Sequence, residues 1–171
     1  MDLIRWIGAA LILLAGGGFG YISARQLRRE EAALQELIGI MDFLSAELEC
    51  RLTPLPQLCA EAAKQGKSAV SLVFSRLCRE LEGQQLPDAG HCMHRALDAV
   101  EDVPETARRH LTQLGKNLGS FDLPGQLSSL DAVRQNCQRD LLGLQSTKDT
   151  RLRGNRVLGL CAGAALVILL I

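Results

Sequence analysis

Hydrophobic positions fall into three regimes along this chain. Trp6 to Ile22 is a run of 17 residues without a charge, and Val157 to Ile171 is a second uncharged run of 15. Between them, apolar residues recur three and four positions apart and never alternate with period two over a β-branched stretch. That spacing puts apolar side chains on one face of an α-helix, so the middle predicts helices throughout.

From Arg25 the first helix carries Leu27, Leu34, Leu37, Met41, Leu44 and Leu48 on a narrow seam. No Pro separates it from the uncharged run before it. Thr53-Pro54-Leu55-Pro56 ends it, because a residue preceding Pro is pushed out of the helical region. A short helix is predicted from Pro56 to Gln65, with Leu58, Cys59 and Ala62 inward and Gly66 as its stop. Ser68 can cap the next, running to about Glu82 with Leu72, Val73, Leu77 and Leu81 inward. A fourth extends from Pro87 to about Val103 with Cys92, Met93, Ala96, Leu97 and Val100 inward. Pro104 opens a fifth, with Ala107, Leu111, Leu114 and Leu118 inward. The Gly119–Gly125 segment is the clearest turn, and a last helix runs from about Gly125 through Leu127, Leu130, Cys137, Leu141 and Leu144. These seams predict an all-α fold, a six-helix antiparallel bundle over residues 24–156.

The end runs predict membrane segments, an N-terminal transmembrane helix within 1–23 and a C-terminal one over 157–171. Both sit at or below the short end of the roughly 17–25 residues that span a bilayer as a helix, so a partly inserted hairpin is the alternative. An uncleaved anchor is favoured over a signal peptide for the first run, because Arg25, Arg28 and Arg29 follow at once. Lys148, Arg151, Arg153 and Arg156 precede the second run. Both basic flanks face the middle of the chain, which predicts that residues 24–156 are cytoplasmic and both termini outside. Gly16 with Gly20, and Gly159 with Gly163, allow close helix approach within the spans, though Gly is common in membrane helices generally.

Charge and composition narrow the function. Lys and Arg number 19, Asp and Glu 19, so no basic face is available in bulk to offset nucleic-acid phosphates. The six cysteines form no C-x-x-C pair and read as free, buried apolar residues rather than a disulfide framework. His91, Cys92 and His94 lack a second Cys/His pair at zinc-site spacing, so no metal site is expected. His110 beside Arg108 and Arg109 reads as part of a solvated helix face. No phosphate-cradling loop, G-x-S-x-G elbow or H-E-x-x-H is present, so no catalytic residue and no cofactor are expected.

Three stretches carry a resemblance to a known family. They are IGAALILLAGGGFGYISARQL from Ile7, R-L-T-P-L from Arg51, and L-x-x-L-G-K-N-L-G-S-F-D-L-P-G-Q from Leu111 to Gln126, followed by the apolar tail ending V-I-L-L-I. With these the chain resembles the stage III sporulation protein AB family, itself similar to the helical cytoplasmic domain of type II secretion F proteins. Lys116 and Leu114 depart from the acidic residue and the Phe common there. The resemblance implies a non-enzymatic platform subunit of a channel complex in the mother-cell membrane around the forespore. It would dock the stage III sporulation protein AA ATPase and meet other sporulation channel membrane proteins, with self-association an open option. The turns at Thr53, Pro54, Gly115, Gly119, Asp122 and Gln126 are the expected docking residues. A membrane-tethered adaptor or signalling module without a secretion role is the competing expectation.

Overall fold

A computed structural model describes the backbone of residues 2–51, 53–83, 88–119 and 122–170, and the side chains of 25–50, 53–83, 88–119 and 122–146. Six helices and no strands occur among these residues: α1 (Asp2–Arg51), α2 (Leu55–Ala62), α3 (Ala69–Gly83), α4 (Ala89–Asp98), α5 (Glu105–Asn117) and α6 (Leu123–Leu170). The two outer helices are long, 50 and 48 residues, and neither breaks where the polar body gives way to an uncharged run. Among the described residues no helix is long and apolar enough to cross a membrane. Both expected spans, the basic residues Lys148, Arg151, Arg153 and Arg156, and Cys161 fall outside the residues whose side chains are described. Arg25, Arg28 and Arg29 are exposed.

α1 and α6 are antiparallel neighbours, and two polar contacts fix their register. Gln145 donates to Glu31 Oε1 at 3.4 Å, and Arg134 Nε lies 3.6 Å from Asp42. Eleven residues forward on α1 therefore match eleven back on α6. Leu48 meets Gln126, Ser129 and Leu130 at the end of the overlap where α6 begins. The apolar seam of α1 closes this pairing: Leu34, Leu37, Ile40, Met41 and Leu44 are all buried, facing Leu130, Val133 and Cys137 of α6 and the shorter helices. Burial of such side chains contributes about 1.5–3 kcal/mol each, which is why two helices with little amphipathic signal over their full length still pair over this stretch.

Local chemistry sets the helix ends. Pro54 takes an extended conformation (φ −57°, ψ 140°) and its carbonyl accepts from Leu58 at 3.0 Å, so α2 begins at Leu55 rather than Pro56. Ser68 Oγ accepts from Val70 N at 3.0 Å, as its cap position predicts. α4 begins at Ala89, where Asp88 accepts from His91 N at 2.8 Å. It stops at Asp98, short of the expected Val103. Arg108 Nη2 reaches back from α5 to donate to Leu97 O at 3.1 Å and Val100 O at 3.4 Å, and Val100 N closes a turn on Leu97 O at 3.4 Å, so a turn and a side chain together take up the carbonyls at this end. Val100 and Val103 stay buried in the loop that follows.

Three sequence expectations are overturned in detail. Leu72 points outward at 58% exposure, because the buried stripe of α3 is Val70, Ser71, Val73, Phe74, Leu77 and Cys78. Cys50 is exposed, unlike buried Cys59, Cys78, Cys92 and Cys137. His110 is buried, not solvated. It shares a face of α5 with Ala107, Leu111 and Leu114, and its Nε2 lies 2.9 Å from Asp140 Oδ2 on α6.

Candidate docking surface

The end of the bundle where α1 stops and α6 starts gathers most of the residues expected to dock a partner. Thr53 follows α1 and donates through Oγ1 to Glu47 at 3.4 Å. Pro54 beside it is exposed. Gly119 closes α5 with φ +76°, a left-handed conformation that favours glycine, after Leu118 leaves the helix in an extended conformation. A β-carbon on Gly119 would lie 3.9 Å from Leu55 Cδ2, so the turn after α5 sits beside the start of α2. Asp122 opens α6: its carbonyl accepts from Gln126 N at 2.9 Å and its Oδ1 from Gly125 N at 3.3 Å. Gln126 is half-buried and lines, with Leu48, Leu114, Asn117, Leu118, Ser129 and Leu130, a cavity of about 10 Å³. Ser129 Oγ is buried there without a hydrogen-bond partner.

Gly115 lies beneath this surface rather than on it. It is buried, and a β-carbon there would stand 2.5 Å from Met93 Cβ and 2.8 Å from Met93 Cγ. The absent side chain brings α5 against α4 and so sets where the Gly119 turn emerges. The resulting face combines backbone turns, the carboxylates of Glu47 and Asp122 and a shallow apolar edge.

The opposite end of the body carries the mixed-charge counterpart. Arg29 lies 4.0 Å from Asp102 in the α4–α5 loop. Arg25, Arg29, Glu30, Glu101, Asp102 and Glu105 line an open groove of about 550 Å³ beside it.

Reactive chemistry is muted in between. Burial pushes the Cys59 thiol up to about 12, helped by neighbouring Cys78, and the Cys137 thiol up to about 12, helped by Asp140. Burial likewise raises Cys78 and Cys92. Such thiols are poor nucleophiles at neutral pH. No group of three or more His, Cys, Asp or Glu that could hold a metal ion occurs among the described residues. His91 and His94 are exposed, and His91 pairs with Asp88 at 2.9 Å. The His110–Asp140 pair, with Arg109 3.8 Å from the same carboxylate, bolts α5 to α6 and was missed by sequence reasoning. Its signal was present: His110 falls on the apolar stripe of α5, not beside it.

Two antiparallel helices far longer than the body they frame, with four short helices packed along one stretch, define an all-helical bundle extended at one end. The chain belongs to the stage III sporulation protein AB (spore_III_AB) family, whose model matches residues 5–171. It is similar to stage III sporulation protein AB of Bacillus subtilis (strain 168), with 23% identity over 171 residues that cover 98% of this chain and 99% of that one. A solved structure of stage III sporulation protein AB (SpoIIIAB) matches with a TM-score of 0.56 and 25% identity, over 72% of this chain and 94% of that one. The chain is therefore a sporulation protein by family.

Proposed function

We propose that this protein is a membrane platform subunit of the sporulation channel complex, non-enzymatic, docking a secretion-type ATPase. The observation that carries the reading is the antiparallel register of α1 and α6. Continued along two unbroken helices, it brings the uncharged runs 6–22 and 157–171 level with each other at one end. In sequence, Arg25, Arg28 and Arg29 follow the first run and Lys148, Arg151, Arg153 and Arg156 precede the second. A helical hairpin with both apolar arms in the bilayer and its cations at the cytoplasmic interface satisfies the positive-inside rule. The domain 24–156 would hang from both ends in the mother-cell cytoplasm, on the side of that membrane away from the forespore. Two anchors resist tilting better than one, which suits a part that receives force from a motor.

The free end of the hairpin carries the docking surface. Thr53, Pro54, Gly119, Asp122 and Gln126 are the residues offered to the stage III sporulation protein AA ATPase, and Gly115 holds the helices beneath them in place. The test is a pull-down of that ATPase by the full chain in detergent, with Asp122→Arg and Gln126→Arg variants. Asp122 is exposed just before α6 and Gln126 is half-buried one turn into it, so circular dichroism and a melting curve accompany each variant and only folded variants are compared. Loss of ATPase binding supports the reading. Unchanged binding removes this surface, and no binding by the unaltered chain favours an adaptor without a secretion motor.

A further inference from the structure

α3 carries two adjacent residues whose burial runs against their polarity. Ser71 is buried where an apolar side chain belongs, and Leu72 beside it is exposed. The Ser71 hydroxyl is satisfied within its own turn, Oγ donating to Ser68 O at 3.4 Å, and its backbone N–H donates to Glu36 Oε1 at 3.2 Å. Gly66 leaves room for the Glu36 carboxylate, which packs directly against it. Leu72, on the face away from the core, lines a cleft of about 460 Å³ between α2 and α3. Ala60, Ala63, Leu72 and Cys78 form its apolar part, and Lys64, Lys67 and Arg79 stand around it. Those three cations are exposed and make no ion pair among the described residues, and no carboxylate lines the cleft. Arg29, Arg95, Arg108, Arg109 and Arg134 have acidic neighbours within 4.0 Å, whereas Arg25, Arg28, Arg76 and Arg139 have none among the described residues, so what marks the cleft is three such cations around one exposed leucine.

We propose that the α2–α3 cleft is a second interaction surface, binding an acidic amphipathic protein segment whose apolar side chain packs on Leu72 while its carboxylates meet Lys64, Lys67 and Arg79. An exposed leucine ringed by unpaired cations complements a helix with leucines on one face and glutamates flanking them. A lipid surface fits less well. The cleft is concave and lies level with Glu36, so with the membrane ends as proposed above it sits about 20 Å along α1 from Ile22 at 1.5 Å per residue. That exceeds the Debye length of about 8 Å over which anionic headgroups act at physiological salt.

The test uses the full chain in lipid nanodiscs and two fluorescent helical peptides, identical in their leucines, one carrying glutamate and the other lysine at the flanking positions. Anisotropy titration should show binding of the glutamate peptide alone, weakening as salt rises. Leu72→Ser should weaken it about tenfold, a loss of about 1.4 kcal/mol. The double variant Lys64→Glu, Lys67→Glu should transfer the preference to the lysine peptide. All three side chains are exposed, so unchanged circular dichroism is expected for each variant. Equal binding of both peptides, or binding indifferent to these substitutions, overturns the proposal. Displacement of the glutamate peptide by dispersed short-chain phosphatidylglycerol assigns the cleft to lipid and overturns it as well. Neither result bears on ATPase docking at the distal turns, which these variants leave intact.

Discussion

Replacing Gly115 with alanine puts two effects of opposite sign on one methyl group. In the middle of a helix, alanine is favoured over glycine by about 1 kcal/mol. Here the new carbon would stand 2.5 Å from Met93 Cβ, more than 1 Å inside the ordinary contact distance of about 3.5–4.0 Å between carbons. The nearer atom is the root of the Met93 side chain, fully buried, so no rotamer change removes it. α4 and α5 must separate, and overpacking of that kind costs about 1–3 kcal/mol. Ala89 O lies 3.6 Å from the same point and limits a sideways escape. The net expectation is a loss of about 1 kcal/mol, lowering the melting temperature by about 2–4 °C for a chain of this size. Denaturant or thermal unfolding of the full chain in mild detergent, followed by far-ultraviolet circular dichroism, reads it. Adding Met93→Ala should not rescue the variant, because the clashing β-carbon remains. A Gly115→Ala protein more stable than its parent would refute the close approach of α4 and α5, and with it the position of the Gly119 turn.

Gly119→Ala should cost about 1 kcal/mol by forcing a β-carbon into a left-handed backbone, with Gly119→Asn costing less, both read by the same unfolding curves. An impermeant thiol reagent at pH 8 should modify Cys50 quickly while Cys59 and Cys137 stay unreactive until denaturant is added, as mass spectrometry of the peptides would show. Asp88 is held below the usual carboxylate range by the backbone N–H and ring of His91. A carboxylate with a depressed folded value stabilises above its unfolded value near 3.8 and loses that contribution as pH falls through the lower folded value. Asp88→Asn should therefore flatten the acid limb of the stability profile below pH 4, and an unchanged limb would show that ionisation of Asp88 contributes nothing to stability.

Most of the fold was legible because each helix is bounded by a residue with a physical reason to sit there. Pro54, Ser68, Pro104 and Gly119 mark ends that the structure shows within a residue or two, whereas α2 ends at Ala62, four residues before the expected stop at Gly66. The misses divide between helical spacing and long-range contacts. Leu72 shares a face with Ser75, Arg76 and Arg79, away from the buried Val70, Val73, Phe74 and Leu77, and helical spacing alone puts it there. α4 is cut short because Arg108 reaches back from the next helix. His110 is taken inside because Asp140 waits 30 residues on to satisfy it. Of the expected docking residues, spacing alone could name the turns but could not separate Gly115, which packs, from Gly119, which turns. That distinction needs Met93, which lies on another helix.

The central claim is that both ends of this chain are embedded in a bilayer with the helical body on its cytoplasmic side. A chain freed of its native cysteines and carrying one cysteine at a time, Asp2→Cys, His94→Cys or Ile171→Cys, tests it in growing bacterial cells treated with an impermeant maleimide. The account predicts labelling of the two ends in intact cells and of position 94 only after permeabilisation. Labelling of position 94 in intact cells, or recovery of the unmodified full chain in the soluble fraction without detergent, would contradict it.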